Sequence, residues 1–317
     1  MKLVSYHYGE QRRIGAAFGD WLVDLNRAYR ETLKKEVPAR AVELANCWVP
    51  GDMTRFLEGG DEAWRAAETA MGFVEAQCAA PDGLERLRRG GVLRPFREIR
   101  VAIPVPRPGK VICIGKNYAD HTKELGGNQP SVPELFVRFA STLVAAGEPI
   151  VKPRESDQWD YEAELAVVIG KTARRVRRDR ALEHVAGYSC LIDVTARDYQ
   201  SRTSQWTAGK NFDHSGPFGP WLVTPDEVGD PQTLAIRLTI DGESMQDSNT
   251  KFMIFPVDFL IEHISEFVTL YPGDVISTGT PAGVGMGRKP PRFLKPGETV
   301  CCSVEKVGEL ICPVVGD

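Results

Sequence analysis

The sequence predicts an α+β fold that is rich in β-structure and divided into two parts. Three prolines within residues 104–108 exclude both a helix and a central strand, so 104–109 is expected to be an extended linker. After the linker, short apolar segments alternate with Gly- and Pro-rich loops, a pattern typical of a strand-dominated domain. Helical spacing of apolar residues is found in only a few segments. We therefore expect a small α+β domain over 1–103 and a larger β-rich domain over 110–317.

The first part is predicted to begin with short antiparallel strands and to continue with a long helix. The expected strands are Leu3–Tyr8, Ile14–Phe18 and Trp21–Leu25, with a polar turn over 9–13 between the first two. A helix is expected over Asp61–Cys78 and ends before Pro81. Its apolar stripe recurs at three- and four-residue steps: Trp64, Ala67, Met71, Val74 and Cys78.

The second part contains five short apolar segments that are predicted to be strands. These segments are Lys110–Gly115, Glu162–Gly170, Gly187–Asp193, Ala235–Ile240 and Asp274–Gly279. One helix is predicted over Pro256–Tyr271, with one apolar face made of Phe259, Leu260, His263, Ile264 and Phe267. This part is therefore expected to be built mainly of β-structure with long loops.

The composition is that of an ordinary globular protein and excludes several classes of function. The 317 residues are 42% hydrophobic and 26% charged, with a formal net charge of −4, which speaks against a general binder of nucleic acid or anionic membranes. The basic run 171–180 is interpreted as a solvated connection rather than an anion site. The N-terminus is too polar for a signal peptide, and no apolar stretch is long enough to span a membrane. Seven cysteines without a Cys-x-x-Cys pair favour reduced thiols and a cytoplasmic protein.

Three carboxylates are placed to hold a hard divalent cation. Glu162 and Glu164 would project from the same face of a strand, where they repel each other unless a cation lies between them. Asp193 ends the next predicted strand, Gly187–Asp193, and the ends of strands are where ligands are often presented. Oxygen ligands without nearby Cys or His favour Mg²⁺, with Mn²⁺ or Ca²⁺ as alternatives. The competing interpretations are a solvent-facing glutamate pair on an edge strand and, for Asp193, an N-cap of a helix over 194–202.

A second group of polar residues suggests proton transfer. His121 and Glu124 are three residues apart, so on one helical turn they face the same way, and the glutamate would orient the imidazole as a general base. The following Gly126-Gly127 suits a hinged segment, although the pair would also fit an exposed helix surface. Lys210, between a glycine and an asparagine, is suited to an anionic substrate.

Three glycine-containing segments resemble anion-binding loops in composition. Residues 109–116 lack the glycine spacing and the Ser or Thr of a phosphate loop. Residues 283–287 do not have the dinucleotide-binding spacing and lie outside any βαβ unit. In residues 277–285, threonine hydroxyls and backbone N–H groups are available to hold a carboxylate, with an ordinary tight loop as the alternative.

Taken together, these segments resemble the fumarylacetoacetate hydrolase family, including its acylpyruvate hydrolases and 2-hydroxyhepta-2,4-diene-1,7-dioate isomerases. The resemblance covers most of 107–317 and rests on segments that occur in the family order: Gly115–Tyr118 with His121 and Glu124, Asp160–Gly170, Gly187–Gln200, Lys210 with Phe212-Asp213, and Pro272–Gly285. It implies a mixed β-sandwich roll with peripheral helices and a homodimer.

The resemblance also implies roles for individual residues. Glu162, Glu164 and Asp193 match the family's metal ligands, and His121 with Glu124 matches the dyad on a mobile lid that activates water. Lys210 matches the lysine beside the bound substrate. Three further residues are expected to contact substrate, namely Gln200, Thr280 and Arg138, the last standing where relatives often have lysine.

The reaction expected from this resemblance is metal-dependent hydrolysis of a C–C bond in a 2,4-dioxo acid, such as an acylpyruvate or fumarylpyruvate, to pyruvate and a carboxylic acid. Decarboxylation of oxaloacetate and isomerisation or hydration of a 2-oxo acid are the alternatives, because they use the same metal-bound enolate. The remaining alternative, a binding protein without activity, is disfavoured by the complete set of site residues. The expected partner is thus a small 2-oxo acid rather than nucleic acid or a membrane.

Overall fold

The computed structural model describes all residues from Met1 to Asp317 and contains two compact units, Met1–Pro106 and Arg107–Asp317. The boundary between the units falls within the segment 104–109. Both units contain sheets and helices, and the second is dominated by strands, so the predicted β-rich α+β class is confirmed. The functions assigned to the two parts stay predictions.

The first unit is a four-stranded antiparallel sheet with five helices. Its strands pair in the order β4-β3-β2-β1, with the bounds β1 Lys2–Tyr8, β2 Gln11–Phe18, β3 Trp21–Asp24 and β4 Leu93–Pro95. Its helices are α1 Leu25–Leu33, α2 Ala41–Trp48, α3 Met53–Glu58, α4 Gly60–Cys78 and α5 Gly83–Arg89, with short 3₁₀ turns at Pro38–Arg40 and Phe96–Glu98. The three predicted strands and the long helix are all present.

The buried face of α4 differs from the predicted stripe of large side chains. Its buried positions are mostly alanines, namely Ala63, Ala66, Ala67, Ala70 and Val74. Trp64 and Met71 are only half-buried, and the Trp64 ring meets Phe56 edge-on with centroids 5.2 Å apart. Small side chains let α1 pack closely on this face, a preference that a count of large apolar residues does not detect.

The second unit contains a mainly antiparallel sheet in the order β13-β11-β10-β16-β5-β6. Only the β16–β5 pair is parallel within this order, and β7 adds to β13 in parallel. The bounds are β5 Val111–Gly115, β6 Glu134–Val137, β7 Leu143–Val144, β10 Ala163–Ile169, β11 Val185–Ile192, β13 Gly216–Val223 and β16 Val275–Ser277. Strand β10 is therefore central, with a neighbour on each side.

A second sheet of five strands, in the order β15-β14-β17-β18-β8, packs on the first. Its strands are β8 Ile150–Lys152, β14 Ala235–Ile240, β15 Glu243–Asn249, β17 Thr299–Val304 and β18 Gly308–Gly316, and a separate two-stranded ladder joins β9 Trp159–Asp160 to β12 Thr195–Ala196. Alternate residues of both sheets meet in one core. Leu165 and Val167 of β10 and Ile236 and Leu238 of β14 belong to it. The side chains on the opposite face of β10 are not part of this core.

Five helices accompany the sheets of the second unit. They are α6 Ala119–Glu124, α7 Arg197–Gln200, α8 Thr207–Lys210, α9 Pro225–Val228 and α10 Val257–Phe267, with 3₁₀ turns at Ala140–Thr142, Arg178–His184, Thr250–Phe252 and Gly285–Gly287.

Only part of the apolar face predicted for α10 lies in the core. Leu260 and Ile264 are buried, together with Val257 and Ile261. Phe259, His263 and Phe267 instead form a row on the outer side, where the rings of Phe259 and His263 lie parallel with centroids 6.0 Å apart. Two adjacent faces of this helix are apolar, so periodicity alone cannot decide which one is buried.

Three observations concern the cysteines, the basic run 171–180 and possible membrane spans. All seven cysteines are free thiols. In the basic run, Arg177, Arg178 and Arg180 form exposed ion pairs with Asp179, Asp258 and Glu183. None of the helices combines the length and the hydropathy that crossing a membrane requires.

Candidate metal centre and cavity

The two glutamates around the start of β10 and the aspartate after β11 lie side by side. Side chains alternate along β10, so Leu165 faces the core while Glu164 faces the opposite side, as does Glu162. Asp193 directly follows β11, and its backbone N–H donates to the carbonyl of Glu162 at 2.9 Å. All three carboxylates are buried, and one oxygen from each lies within 4.8 Å of the others.

The competing interpretations of these residues do not fit the structure. Glu162 and Glu164 are 5% and 1% exposed, and β10 has partners on both sides, so this is no solvent-facing pair on an edge strand. Helix α7 begins only at Arg197, with Ala196 at its N-cap position. Asp193 therefore does not cap that helix.

Positive side chains neutralise two of the three carboxylates. The ammonium of Lys210 lies 2.7 Å from Glu162 Oε2 and 2.6 Å from Asp193 Oδ2. Arg197 lies 2.7 Å from Glu162 Oε1, and Arg138 pairs with Asp193 Oδ1. Glu164 has no such cation. Its Oε2 accepts hydrogen bonds from the Ser277 hydroxyl and the Gly279 N–H.

The pKa values of Glu162 and Glu164 differ because only Glu162 has cationic partners. Burial and then the charges of Asp193 and Glu162 raise the pKa of Glu164 to about 8. Burial acts in the same direction on Glu162, but the charges of Lys210 and Arg197 outweigh it and lower its pKa to about 2. A buried carboxylate without a cationic partner, beside two others, is a donor set that suits a hard divalent cation. Glu162, Glu164 and Asp193 would hold it.

Cation binding is expected to depend on pH through Glu164. Its raised pKa means that the carboxyl is protonated at pH 6 to 7 without a cation and must release the proton when a cation binds. Mg²⁺ affinity should therefore rise up to tenfold per pH unit, roughly, until about pH 8. In the same window the cation-free protein should lose stability, because the protonated form that folding favours is lost as the pH rises through the raised pKa.

Thermal unfolding at pH 6, 7 and 8, with and without a fixed Mg²⁺ concentration, measures this effect. The upward shift of Tm on adding Mg²⁺ should grow with pH in the wild-type protein. The Glu164→Gln variant, which carries no titrating group at this position, should show a small shift that does not grow. A wild-type shift of equal size at all three pH values would contradict the assignment of Glu164.

Arg138, predicted to contact substrate, has a different set of partners. Its guanidinium is fully buried and pairs with Asp193 through both Nε and Nη2. It also donates to the Ser215 hydroxyl at 2.6 Å, to Thr142 at 3.3 Å and to the carbonyl of Val194 at 2.9 Å. Arg138, which directly follows β6, thus holds Asp193 from behind and is not among the residues that line the cavity, so the substrate contact stays a prediction.

Two buried residues in this region, Asp160 and Arg197, have a role that the sequence did not predict. Arg197 connects the carboxylates of Asp160 and Glu162, with its Nε donating to Asp160 Oδ2 at 2.8 Å. Asp160 is 0% exposed. The available signal was proximity in sequence: Asp160 precedes Glu162 by two residues, and Arg197 follows Asp193 by four.

The predicted dyad lies on α6, at the end of a segment fixed to the sheet. Asn117 anchors it through its side-chain amide, which donates to the carbonyls of Thr278 and Phe255 at 2.7 and 3.0 Å. His121 is 4% exposed and has no hydrogen-bond partner at Nδ1, which lies 3.6 Å from Glu124 Oε2. We call residues 117–127 the lid segment. The His121 imidazole is buried, so the alternative of an exposed surface pair of His121 and Glu124 is excluded.

These groups surround a cavity of about 290 Å³. The predicted residues that line it are His121, Glu162, Glu164, Gln200, Lys210 and Thr280. Gln200 accepts a hydrogen bond from Arg197 at 3.0 Å, and the Thr280 hydroxyl accepts one from Gln246 at 2.8 Å. Of the predicted site residues, only Glu124, Asp193 and Arg138 do not line the cavity, and Asp193 still lies in the carboxylate cluster with Glu162 and Glu164.

The cavity also has an apolar part of its lining, which was not predicted. It contains Leu125, Phe136, Trp206 and Met286, with the Phe136 and Trp206 rings edge to face at 5.5 Å between centroids. A Cβ atom at Gly115 would lie 2.2 Å from the Trp206 ring, so only glycine allows this ring to pack on the strand. Lys116 follows at the edge of the cavity with its Nζ 3.1 Å from Glu134.

The loop 277–285 binds carboxylates, as predicted, but they belong to the protein itself. The N–H groups of Gly279, Gly283 and Gly285 donate to Glu164, Glu124 and Asp160, respectively. Of its threonines, Thr278 donates to the carbonyl of Leu165 at 2.9 Å, and only Thr280 reaches the cavity.

Comparison with known proteins agrees with this geometry. Residues 110–315 match the model of the fumarylacetoacetate hydrolase C-terminal domain. The chain is 44% identical over 269 residues to the human protein named oxaloacetate tautomerase FAHD2A, mitochondrial, covering 84% of this chain and 81% of the human one. It is 47% identical over 213 residues to 2,4-didehydro-3-deoxy-L-rhamnonate hydrolase from Sphingomonas sp. (strain SKA58), covering 67% and 75%.

A solved structure extends the similarity over the whole chain. Maleylpyruvate hydrolase from Sphingobium sp. SYK-6, solved in complex with manganese(II) ion and pyruvate, superposes with a TM-score of 0.71 at 29% identity and covers 100% of this chain and 99% of its own. The predicted family and its β-sandwich roll are thereby confirmed. On the evidence of the matched domain and of these relatives, the chain belongs to the fumarylacetoacetate hydrolase family.

Proposed function

We propose that this protein is a divalent-cation-dependent enzyme that moves a proton at C3 of a small 2-oxo acid, with the keto–enol tautomerisation of oxaloacetate as its reaction. The observation that carries the proposal is the position of His121. Its buried imidazole lines the same cavity as Lys210 and two of the three clustered carboxylates. The proposal is also supported by the identity to the human oxaloacetate tautomerase, which extends over 84% of the chain.

The residues divide the chemical work as follows. A cation held by Glu162, Glu164 and Asp193 would polarise the 2-oxo group of the substrate. His121, with Nδ1 turned toward Glu124, uses Nε2 to deliver a proton to C3 of the enol or to remove it from the keto form. The ammonium of Lys210, fixed between Glu162 and Asp193, stabilises negative charge on the substrate oxygen. Gln200 and Thr280 offer polar contacts to the substrate carboxylate.

Hydrolysis of a C–C bond in a 2,4-dioxo acid is the second candidate. The His121–Glu124 pair favours it, because a glutamate-oriented imidazole can also take a proton from water. The 47% identity to a Sphingomonas hydrolase of a didehydro-deoxy sugar acid supports it as well. The cavity of about 290 Å³ accommodates a substrate of either class.

One experiment separates the two candidates. Chelator-treated protein is offered enol-oxaloacetate and acetylpyruvate separately, before and after Mg²⁺ is restored, while enol absorbance is followed and products are identified. We expect Mg²⁺-dependent loss of the oxaloacetate enol above the rate in buffer, with the keto acid as product. Pyruvate and acetate from acetylpyruvate, without faster ketonisation, would transfer the assignment to hydrolysis. Release of CO₂ from oxaloacetate would indicate a decarboxylase instead.

Two further properties belong to the proposal. The homodimer implied by the family is checked by light scattering on the purified protein. The cytoplasmic location expected from the sequence stays a prediction, and several relatives carry mitochondrial names.

A further inference from the structure

The glycine-rich loop 283–287 has no role in the proposed reaction, yet it contacts the lid segment directly. The N–H of Gly283 donates to both carboxylate oxygens of Glu124, at 3.0 and 3.1 Å. These residues are far apart in sequence, and Glu124 is the last residue of α6. The contact therefore joins the end of the lid helix to the loop 283–287, whose Met286 also lines the cavity.

The loop is shaped to receive this carboxylate. A Cβ atom at Gly287 would lie 2.5 Å from Glu124 Cδ and 2.7 Å from Oε1, closer than a side chain can approach. Gly287 has no left-handed backbone conformation, so its glycine is required by space and not by φ. Glycine at 287 is thus explained by the presence of Glu124.

The same loop is fixed from its other side by Asp160. The Asp160 carboxylate accepts hydrogen bonds from the N–H groups of Gly285 and Met286, at 2.6 and 2.9 Å. A Cβ atom at Gly285 would lie 2.6 Å from Asp160 Oδ1 and 1.9 Å from the carbonyl of Arg292. Through Arg197, Asp160 is also connected to Glu162, so the loop and the metal carboxylates share one buried network.

We propose that loop 283–287 is the docking site of the lid segment and that Glu124 fastens it. Glu124 then has two roles, since the carboxylate that orients His121 also binds the Gly283 N–H. Gly287 is a positioning residue: it leaves the space in which the carboxylate is held 3.6 Å from the imidazole. The inference rests on the proposed function only for its effect on turnover, because the docking itself is a contact within the chain.

Three variants separate docking from proton transfer. Gly287→Ala places a methyl group where the carboxylate lies, and Glu124→Ala removes the carboxylate without adding atoms to the loop. Glu124→Gln keeps an oxygen that accepts from the Gly283 N–H but loses the charge that orients His121. Gly72→Ala in α4 is the matched control, because a Cβ atom there meets nothing within 4 Å.

The readout is hydrogen–deuterium exchange in peptides covering 117–127, measured on the full-length protein together with kcat and KM. Gly287→Ala and Glu124→Ala should speed exchange about tenfold or more, the effect expected from losing a hydrogen bond to a charged group. Glu124→Gln should keep wild-type exchange while its kcat falls. The control should change neither, and Mg²⁺ affinity should persist in all four variants.

The results decide the inference independently of the reaction. Wild-type exchange rates in both Gly287→Ala and Glu124→Ala would overturn it, as would equal exchange in Glu124→Gln and Glu124→Ala. If no 2-oxo acid is turned over by the wild-type protein, the proposed function fails, while the exchange comparison still shows whether the loop holds the lid segment.

Discussion

Replacing His121 by alanine is expected to lower turnover by about 10²–10⁴-fold, the usual contribution of a general acid or base. His121 is the one histidine that lines the cavity, and its Nδ1 is left without a hydrogen bond. Cation binding should survive, because the three carboxylates and Lys210 are untouched. Steady-state kinetics on the active substrate and calorimetric titration with Mg²⁺ measure the two quantities.

The matched control for this variant is His184→Ala. His184 is half-buried, its Nδ1 lies 3.2 Å from the carbonyl of Lys171, and it does not line the cavity. Its removal should leave both turnover and Mg²⁺ affinity at wild-type values. Undiminished turnover in His121→Ala would remove this residue from the mechanism, and loss of Mg²⁺ binding would show that the lid segment contributes to the metal centre.

Arg138→Met is expected to lower Tm by on the order of 10 °C. The substitution leaves Asp193 without the guanidinium that holds its Oδ1, and breaking a buried ion pair by removing one partner costs about 3–5 kcal/mol. For a unit of roughly this size each kcal/mol corresponds to about 2–4 °C in Tm. Ser215, Thr142 and the Val194 carbonyl lose a donor as well.

Thermal denaturation of the cation-free protein measures this loss, with Arg177→Met as control. Arg177 forms an exposed ion pair with Asp179, a type that contributes about 1 kcal/mol or less. Arg138→Lys should recover only part of the stability, because an ammonium cannot reproduce the planar fork. A normal Tm combined with a raised KM would instead restore the interpretation of Arg138 as a substrate contact.

The carboxylate cluster was accessible from sequence because strand periodicity fixes which side chains share a face. Glu162 and Glu164 must point the same way once the segment is a strand, and Asp193 ends another apolar segment. Antiparallel pairing then brings Asp193 beside Glu162. The helical step of three residues placed His121 and Glu124 on one face of α6 for the same reason.

Periodicity could not predict the roles of residues that depend on packing between distant parts of the chain. The sequence does not show on which side of β6 the Arg138 side chain enters, so its burial behind Asp193 was missed. Asp160 and Arg197 form an ion pair although they are 37 positions apart in the chain. Spacing in the loop 283–287 speaks against a nucleotide site but does not show what the loop contacts. Its hydrogen bond from Gly283 to Glu124 spans 159 positions of the chain, and the space that Gly287 leaves is filled by the same Glu124 side chain.

The ammonium of Lys210 has a consequence for how the metal centre is loaded. It already holds Glu162 and Asp193 together at 2.7 and 2.6 Å, and buried arginines support both carboxylates from the other side. Loading therefore begins from carboxylates that are already assembled and requires no folding of a disordered segment. We expect fast, reversible exchange of the cation and an apoprotein that persists as a reservoir. Cellular cation supply would then set the fraction of active molecules from moment to moment.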